Sequence, residues 1–267
     1  MIQFDVFKDG KGFALTMSYD DGSPNDRRLA PLFDQYGIRG TFHLNSNRML
    51  HSTDGSIRPE EVKDVYKNHE VAAHTYHHGW LEKMTDVSVI NEVLNDRLEL
   101  EKACGYIVRG MSYPFGTNNQ RVRDLIKSCG IVYSRTANST NGFDIPNDFL
   151  AWHPTCHHNG APECAKRFLE TVKSGWAKGK LLYIWGHAHE LTDESDWEMM
   201  EELCKSLSNL ENVWYATNIE IYDYVTAQRS LHIAADESAV HNPSQIDVWI
   251  NKDGQTVKIP AGETVIF

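Results

Sequence analysis

The chain has 267 residues, an ordinary globular composition (41% hydrophobic, 24% charged) and a formal net charge of −11. That length suffices for one barrel-sized domain with or without an appendage, and the acidity argues against a nucleic-acid backbone as partner, since phosphate binding needs clustered Lys and Arg. No run approaches the roughly 18 consecutive apolar residues of a membrane span, and Asp5, Lys8, Asp9 and Lys11 interrupt any secretory apolar stretch near the start, so the expectation is a cytoplasmic protein, or a secreted one if a leader was removed.

In chain order, short apolar or β-branched runs alternate with helical stretches. Strands are predicted at 14–19, 40–44, 70–73, 106–113, 131–134, 150–153, 181–185 and 213–216. Helices are predicted at 25–36, 58–68, 86–104, 120–129, 162–178 and 197–208, with Pro59 near a helix start and Gly37 and Gly105 just past helix ends. Such alternation implies a parallel sheet covered by helices. From Ser230 the pattern changes to a hairpin, 246–250 and 256–259 joined through Asn251-Lys252-Asp253-Gly254, with a last strand at 263–267. The expected division is therefore 1–229 as the main unit and 230–267 as a β appendage that covers a barrel end or a sheet edge, with a glycan-binding accessory as the lesser alternative.

Five cysteines, an odd number with no CxxC pair, fit reduced thiols. A second zinc site from Cys156, His157, His158 and Cys164 lacks the paired spacing of structural sites.

The chemistry concentrates in two places. Asp20 and Asp21 end one apolar strand, and His74 and His78 follow the end of another. A hydrolytic divalent cation needs about three protein ligands and an open position, which Asp21, His74 and His78 provide; Asp20 is left as a base. If the chain turns helical after Ala73, the two rings share one side, and a turn of different pitch would exchange His77 for His78. Gly22 permits a backbone bend that lets both acids reach one cavity. Asp20, Asp21, His74, Tyr113, His153 and His187 all fall at C-terminal ends of predicted strands, where a β/α barrel assembles its site.

Thr16-Met17-Ser18-Tyr19-Asp20-Asp21-Gly22, His74-Thr75-Tyr76-His77-His78, Thr41-Phe42 and His187 at the end of a later apolar run together resemble the polysaccharide deacetylases, the NodB-homology or carbohydrate esterase family 4 group, over roughly residues 12–225. The resemblance implies an α/β fold, a distorted (β/α) barrel of about seven strands. It also implies Asp20 as catalytic base, Asp21, His74 and His78 as ligands of one divalent cation (zinc, with cobalt or nickel as alternatives), and His187 as general acid. In Ser112-Tyr113-Pro114-Phe115-Gly116 the match makes the Phe115 amide an oxyanion donor, with Tyr113 beside it. His189 competes for the acid role, and Glu190 is placed to orient His187.

Two departures stand out. The family's Arg that orients the base falls at Ser112, so Arg109 is the nearest substitute, its alternative being a structural ion pair. The family's Asp before a Trp falls at Ala151, leaving Trp152 either to wall the pocket or to pack in the core; Trp80, Trp185 and Trp197 read as core.

The reading is a metal-dependent hydrolase removing N- or O-linked acetyl groups from oligo- or polysaccharide. No Gly-x-Ser-x-Gly elbow suggests a serine esterase. The alternatives are a catalytically impaired glycan-binding module, motivated by the two departures, and a hydrolase of a non-acetyl amide. Oligomeric state is not legible.

Overall fold

The computed structural model describes residues 1–267. Its elements are β1 (Ile2–Gln3), β2 (Phe13–Asp20), α1 (Asp26–Gln35), β3 (Gly40–Leu44), α2 (Ser46–His51), α3 (Val62–Val65), β4 (Glu70–Ala73), α4 (Asp86–Cys104), β5 (Gly110–Ser112), α5 (Gln120–Ser128) and β6 (Tyr133–Arg135). These are followed by β7 (Cys156–His157), α6 (Ala161–Ser174), β8 (Lys180–His187), α7 (Glu194–Leu207), β9 (Val213–Tyr215), α8 (Asn218–Arg229), β10 (His232–Ile233), β11 (Ala239–His241), β12 (Val248–Lys252), β13 (Gln255–Ile259) and β14 (Thr264–Ile266).

The central sheet is parallel and runs β6-β5-β4-β3-β2-β8-β7. It curls into the expected distorted barrel. The edge of β2 opposite β8 is shared: β9 pairs with Phe13–Leu15, and β3 with Met17–Asp20. Between β6 and β7 the sheet is bridged only by Arg135 with Trp152. The strand expected at 150–153 is therefore a 3-10 turn followed by that single bridge, and regular pairing to β8 waits until Cys156.

All eight residues of β2 are buried, as expected for a parallel strand covered on both faces. Period-two alternation divides them. Phe13, Leu15, Met17 and Tyr19 join the large core cluster with Phe33 and Leu29 of α1 and Phe168 of α6. Ala14 joins the separate cluster around Tyr133, Trp152 and Tyr183, while Thr16 and Ser18 contact Asn218 and Tyr183. Asp20 continues this second, polar file.

α4 begins at Thr85, whose hydroxyl accepts from Ser88 N–H, and ends at Gly105 with φ +86°, a left-handed C-terminal residue. The predicted helix at 58–68 is a 3-10 turn from Pro59 plus the short α3, while α2 and α8 were not anticipated.

The C-terminal segment folds as expected into a hairpin, β12–β13, turning at Asp253-Gly254. β1 adds to β12, and a second small sheet contains β10, β11 and β14. This appendage sits on α8: Tyr224 hydroxyl accepts from Trp249 N–H at 3.0 Å, and Gln228 donates to Val6 and Trp249 carbonyls.

Candidate active site

β2, β4, β5, β6 and β8 bring their C-terminal ends to one mouth of the barrel, where a cavity of about 320 Å³ is lined by Asp20, Asp21, His74, His78, Tyr113, Phe115, Gly116, Arg135, Ala137, Trp185, His187 and His189. The bend that admits both acids uses more than Gly22. Asp21 itself has φ +79° and Gly22 φ +61°, and the Asp21 N–H stays tied to the His43 carbonyl at 2.9 Å. Asp tolerates this left-handed region better than most side chains.

The two histidines do not meet by a helical turn. After β4 the chain is irregular, with φ +65° at Thr75 and +56° at His78. The Asn45 amide holds this loop by donating to the His74 and Thr75 carbonyls at 2.6 and 3.0 Å, and Asp96 of α4 accepts the His74 N–H at 2.9 Å. The rings of His74 and His78 lie 4.8 Å apart edge to face. His77 turns away, its Nδ1 2.7 Å from Glu92 of α4.

Asp21 Oδ1 lies 3.7 Å from His74 Nε2 and 3.9 Å from His78 Nε2, and the three donor atoms all fall within 4.8 Å of one another. A tetrahedral cation with bonds near 2.0–2.1 Å separates its ligands by about 3.3 Å, so small side-chain shifts close this set around one ion. The tautomer also fits. His74 Nδ1 is 2.9 Å from the Ser112 carbonyl, which only accepts, so Nδ1 carries the proton and Nε2 presents its lone pair. Burial, and then the neighbouring His74, lower the His78 pKa and keep that imidazole neutral. Two imidazole nitrogens and one carboxylate suit a divalent cation of the zinc, cobalt or nickel kind.

Asp20 is almost wholly buried, at 2% exposure. Burial alone would raise its pKa, but the Arg135 guanidinium, followed by His74 and His43, holds it well below the usual carboxylate range. Arg135, itself 1% exposed, donates through Nη2 to Asp20 Oδ2 and spreads its guanidinium 4.4 Å from the Trp185 ring centre. On the other oxygen, Ser112 Oγ donates at 3.1 Å, and His43 Nδ1 stands 3.3 Å away. Burial pushes the His43 pKa down to about 4, so this ring is neutral at neutral pH.

Arg109 does not reach Asp20. It forms a two-pronged pair with Asp223 of α8 at 3.0 and 2.6 Å, because it precedes β5 and so lies at the opposite end of the barrel from Ser112. The guanidinium comes instead from the next strand, β6. Arg135 has no neighbouring motif to mark it; the available signal was its place at a strand's C-terminal end. His43 pairs in register with Asp20 across β2 and β3, and was likewise missed.

Trp152 is not a pocket wall. Its ring is buried against Tyr133, Phe149 and Tyr183. Trp185 lines the cavity instead, two residues from His187 on the same face of β8, so strand alternation marked it. Tyr113 borders the cavity, but its hydroxyl is committed to the Leu150 carbonyl at 2.7 Å.

Phe115 sits in a 3-10 turn with φ +60° and takes no part through its N–H in the loop's hydrogen bonds. Its ring is half exposed, lying 4.6 Å from Trp80 and 4.8 Å from His78. Trp80 is thus at the rim and not in the core, whereas Trp197 is buried as expected.

His187 follows the pairing of β8 with β2, opposite Asp20. Its Nδ1 lies 3.2 Å from Glu190 Oε1. Burial acts to lower its pKa, but Glu190, with Asp20 and Asp21 farther off, raises it overall. His189, half exposed, lines the same cavity 3.9 Å from Asp21 Oδ2, and burial and His187 lower its pKa. The five cysteines are all unpaired thiols.

The polysaccharide deacetylase family matches residues 8–134. Chitin deacetylase 1 of Cryptococcus neoformans var. grubii is 26% identical over 140 residues, covering 51% of this chain and 28% of that relative; the chain thus spans under a third of its length. Among solved structures, a Mycobacterium smegmatis protein assigned to the polysaccharide deacetylases superposes with a TM-score of 0.65 at 16% identity, covering 86% of this chain and 96% of the other. The Xyl-CE4 domain of a multidomain xylanase from the hindgut metagenome of Trinervitermes trinervoides gives 0.54 at 15% identity, covering 81% and 92%. At these identities the two superpositions establish the shared fold.

Proposed function

With residues 8–134 matching the polysaccharide deacetylase family and the barrel sharing that family's fold, we propose that this protein is a metal-dependent hydrolase that removes acetyl groups from an acetylated oligo- or polysaccharide. The observation that carries the reading is the convergence, in one cavity, of the Asp21, His74 and His78 donor atoms with the Arg135-held Asp20 and with His187. Asp21, His74 and His78 would hold the cation, which when bound supplies Lewis acidity toward the acyl carbonyl and toward water.

Asp20 accepts the proton of the attacking water. Its second contacts matter here: Arg135 and Ser112 lock the carboxylate, so it stays ionised and pointed into the cavity. As the carbonyl carbon becomes tetrahedral, the free N–H of Phe115 is a donor for the developing oxyanion, and the φ of +60° at that residue turns the peptide away from the local ladder. His187, with its proton supply set by Glu190, protonates the departing nitrogen or oxygen. A leaving amine needs that proton more than a leaving alcohol does, which favours N-acetyl substrates as the first to assay. Arg135 and Glu190 supply a guanidinium and a carboxylate that positions 112 and 151 lack, which supports the hydrolase reading over an impaired glycan binder.

The test is acetate release from acetylated chito-oligosaccharide and acetylated xylan by chelator-treated protein, before and after addition of zinc or cobalt. Activity should vanish with the cation and return with it. Release that survives complete removal of metal, confirmed by elemental analysis, refutes the proposal.

A further inference from the structure

Glu190, the partner of His187, is itself flanked by two imidazoles at the end of β7. His157 Nε2 lies 2.9 Å, and His158 Nε2 3.1 Å, from Glu190 Oε2, while Oε1 faces His187 Nδ1 at 3.2 Å. Packing restrains both rings. His157 ends β7, in register with Trp185, and packs edge-on against that indole at 4.8 Å. His158 is fully buried, stacks on Tyr19 at 5.7 Å, and fills the space beside Gly186, where an added Cβ would stand 2.2 Å from its Nδ1.

Protons can be assigned around the carboxylate. His157 Nδ1 accepts the Asn159 N–H at 3.4 Å, so its own proton sits on Nε2, the nitrogen 2.9 Å from Glu190 Oε2. Burial opposes ionisation of Glu190, but the imidazoles of His157, His158 and His187 around it hold its pKa far below the usual range. An ionised carboxylate only accepts, so neutral His187 must carry its proton on Nδ1, leaving Nε2 as the exchanging nitrogen. Other charged or titratable groups facing His187 are His189 on its own turn, with ring centres 5.0 Å apart, and Asp20 and Asp21 from β2.

We propose that His157 and His158 are positioning residues that clamp Glu190, so that it fixes His187 in the Nδ1–H tautomer with Nε2 free to serve the cavity. This rests on the reading of His187 as the acid. His157 Nε2, His187 Nδ1 and Glu190 also lie close enough to form a cation site, but ligation would require a bare His157 Nε2, the nitrogen that bears the proton.

The test uses His157→Ala, chosen because that ring is partly exposed and its loss spares the barrel interior. In metal-free protein, long-range nitrogen–proton NMR of the imidazoles should report His187 as the Nδ1–H form in wild type and a mixture of tautomers in His157→Ala. In zinc-loaded protein the same substitution should lower kcat about tenfold with KM little changed, the scale of losing an outer partner of a functional group. His157→Gln, whose amide can still donate to Glu190, should recover most of kcat. An unaltered tautomer in His157→Ala overturns the clamp, as does a second zinc equivalent that disappears in this variant. Retained activity in His187→Ala would instead overturn the acid assignment, while the tautomer readout would still judge the clamp.

Discussion

Replacing Arg135 with Met gives the sharpest quantitative test of the site. Met fills much of the stem volume against Trp185 and leaves Asp20 with Ser112, His43 and His74 as its remaining close partners. Both charges are nearly inaccessible, so solvent cannot replace the lost guanidinium. An Asp beside an Arg is typically depressed by about 1–3 pKa units, and at about 1.4 kcal/mol per unit this amounts to roughly 3 kcal/mol. Breaking one side of a buried pair costs about 3–5 kcal/mol by a separate route, so the two scales agree. For a chain of this size the melting temperature should fall by about 6 °C or more. The assay is urea unfolding of chelated wild type, Arg135→Met, Asp20→Asn and the double variant at pH 7. Each single change should destabilise, and the double should lose about 3 kcal/mol less than their sum. In the metal-loaded enzyme, the acid limb of kcat/KM should move upward by about 2 pH units in Arg135→Met. Additivity within about 0.5 kcal/mol, together with an unshifted acid limb, would refute the assignment of Arg135 as the partner that keeps Asp20 ionised.

Three further outcomes follow from the geometry. Asp21→Ala should abolish stoichiometric zinc binding by elemental analysis and reduce acetate release to background; full zinc occupancy in that variant contradicts the ligand set. Phe115→Gly should keep kcat near wild type, because the proposed donor is a backbone N–H and glycine accepts φ +60° without strain; a loss of about 100-fold or more would mean that the side chain carries the effect. Glu70, buried against Thr41, Tyr133 and Ile219, has its pKa pushed from 4.5 to about 7 by burial. The folded state binds this proton more tightly, so the resulting stability is complete below about pH 4.5 and lost as pH rises through about 7. Relative to Glu70→Gln, wild type should therefore lose a few kcal/mol between pH 4.5 and 8. A difference in unfolding free energy that is independent of pH would refute this.

Local information carried much of the fold. β3 and β4 have the predicted bounds because β-branched and apolar runs there are flanked by turns, and α4 does because Thr85 and Gly105 cap it. α2 escaped notice because its six residues are too few to display a helical period, and α8 because Asn218 and Gln228 are buried alongside Ile221, Tyr224 and Val225, which blurs its apolar stripe. At 150–153 the apolar composition suggested pairing, but the chain meets β6 only at Trp152.

The same division holds within the site. Asp20, Asp21, His74 and His78 could be identified from the chain alone, since each pair lies within five residues and at a strand end, and the backbone there is short enough to dictate who meets whom. The guanidinium on Asp20 comes from 115 residues away, and Arg109, nearer in sequence to the expected position, is carried to the other end of the barrel. The burial of Trp152 in the core, and the placement of His157 and His158 beside Glu190, have the same origin. In a barrel, neighbours at the mouth are set by strand order and register, and long-range pairing leaves no trace in local composition.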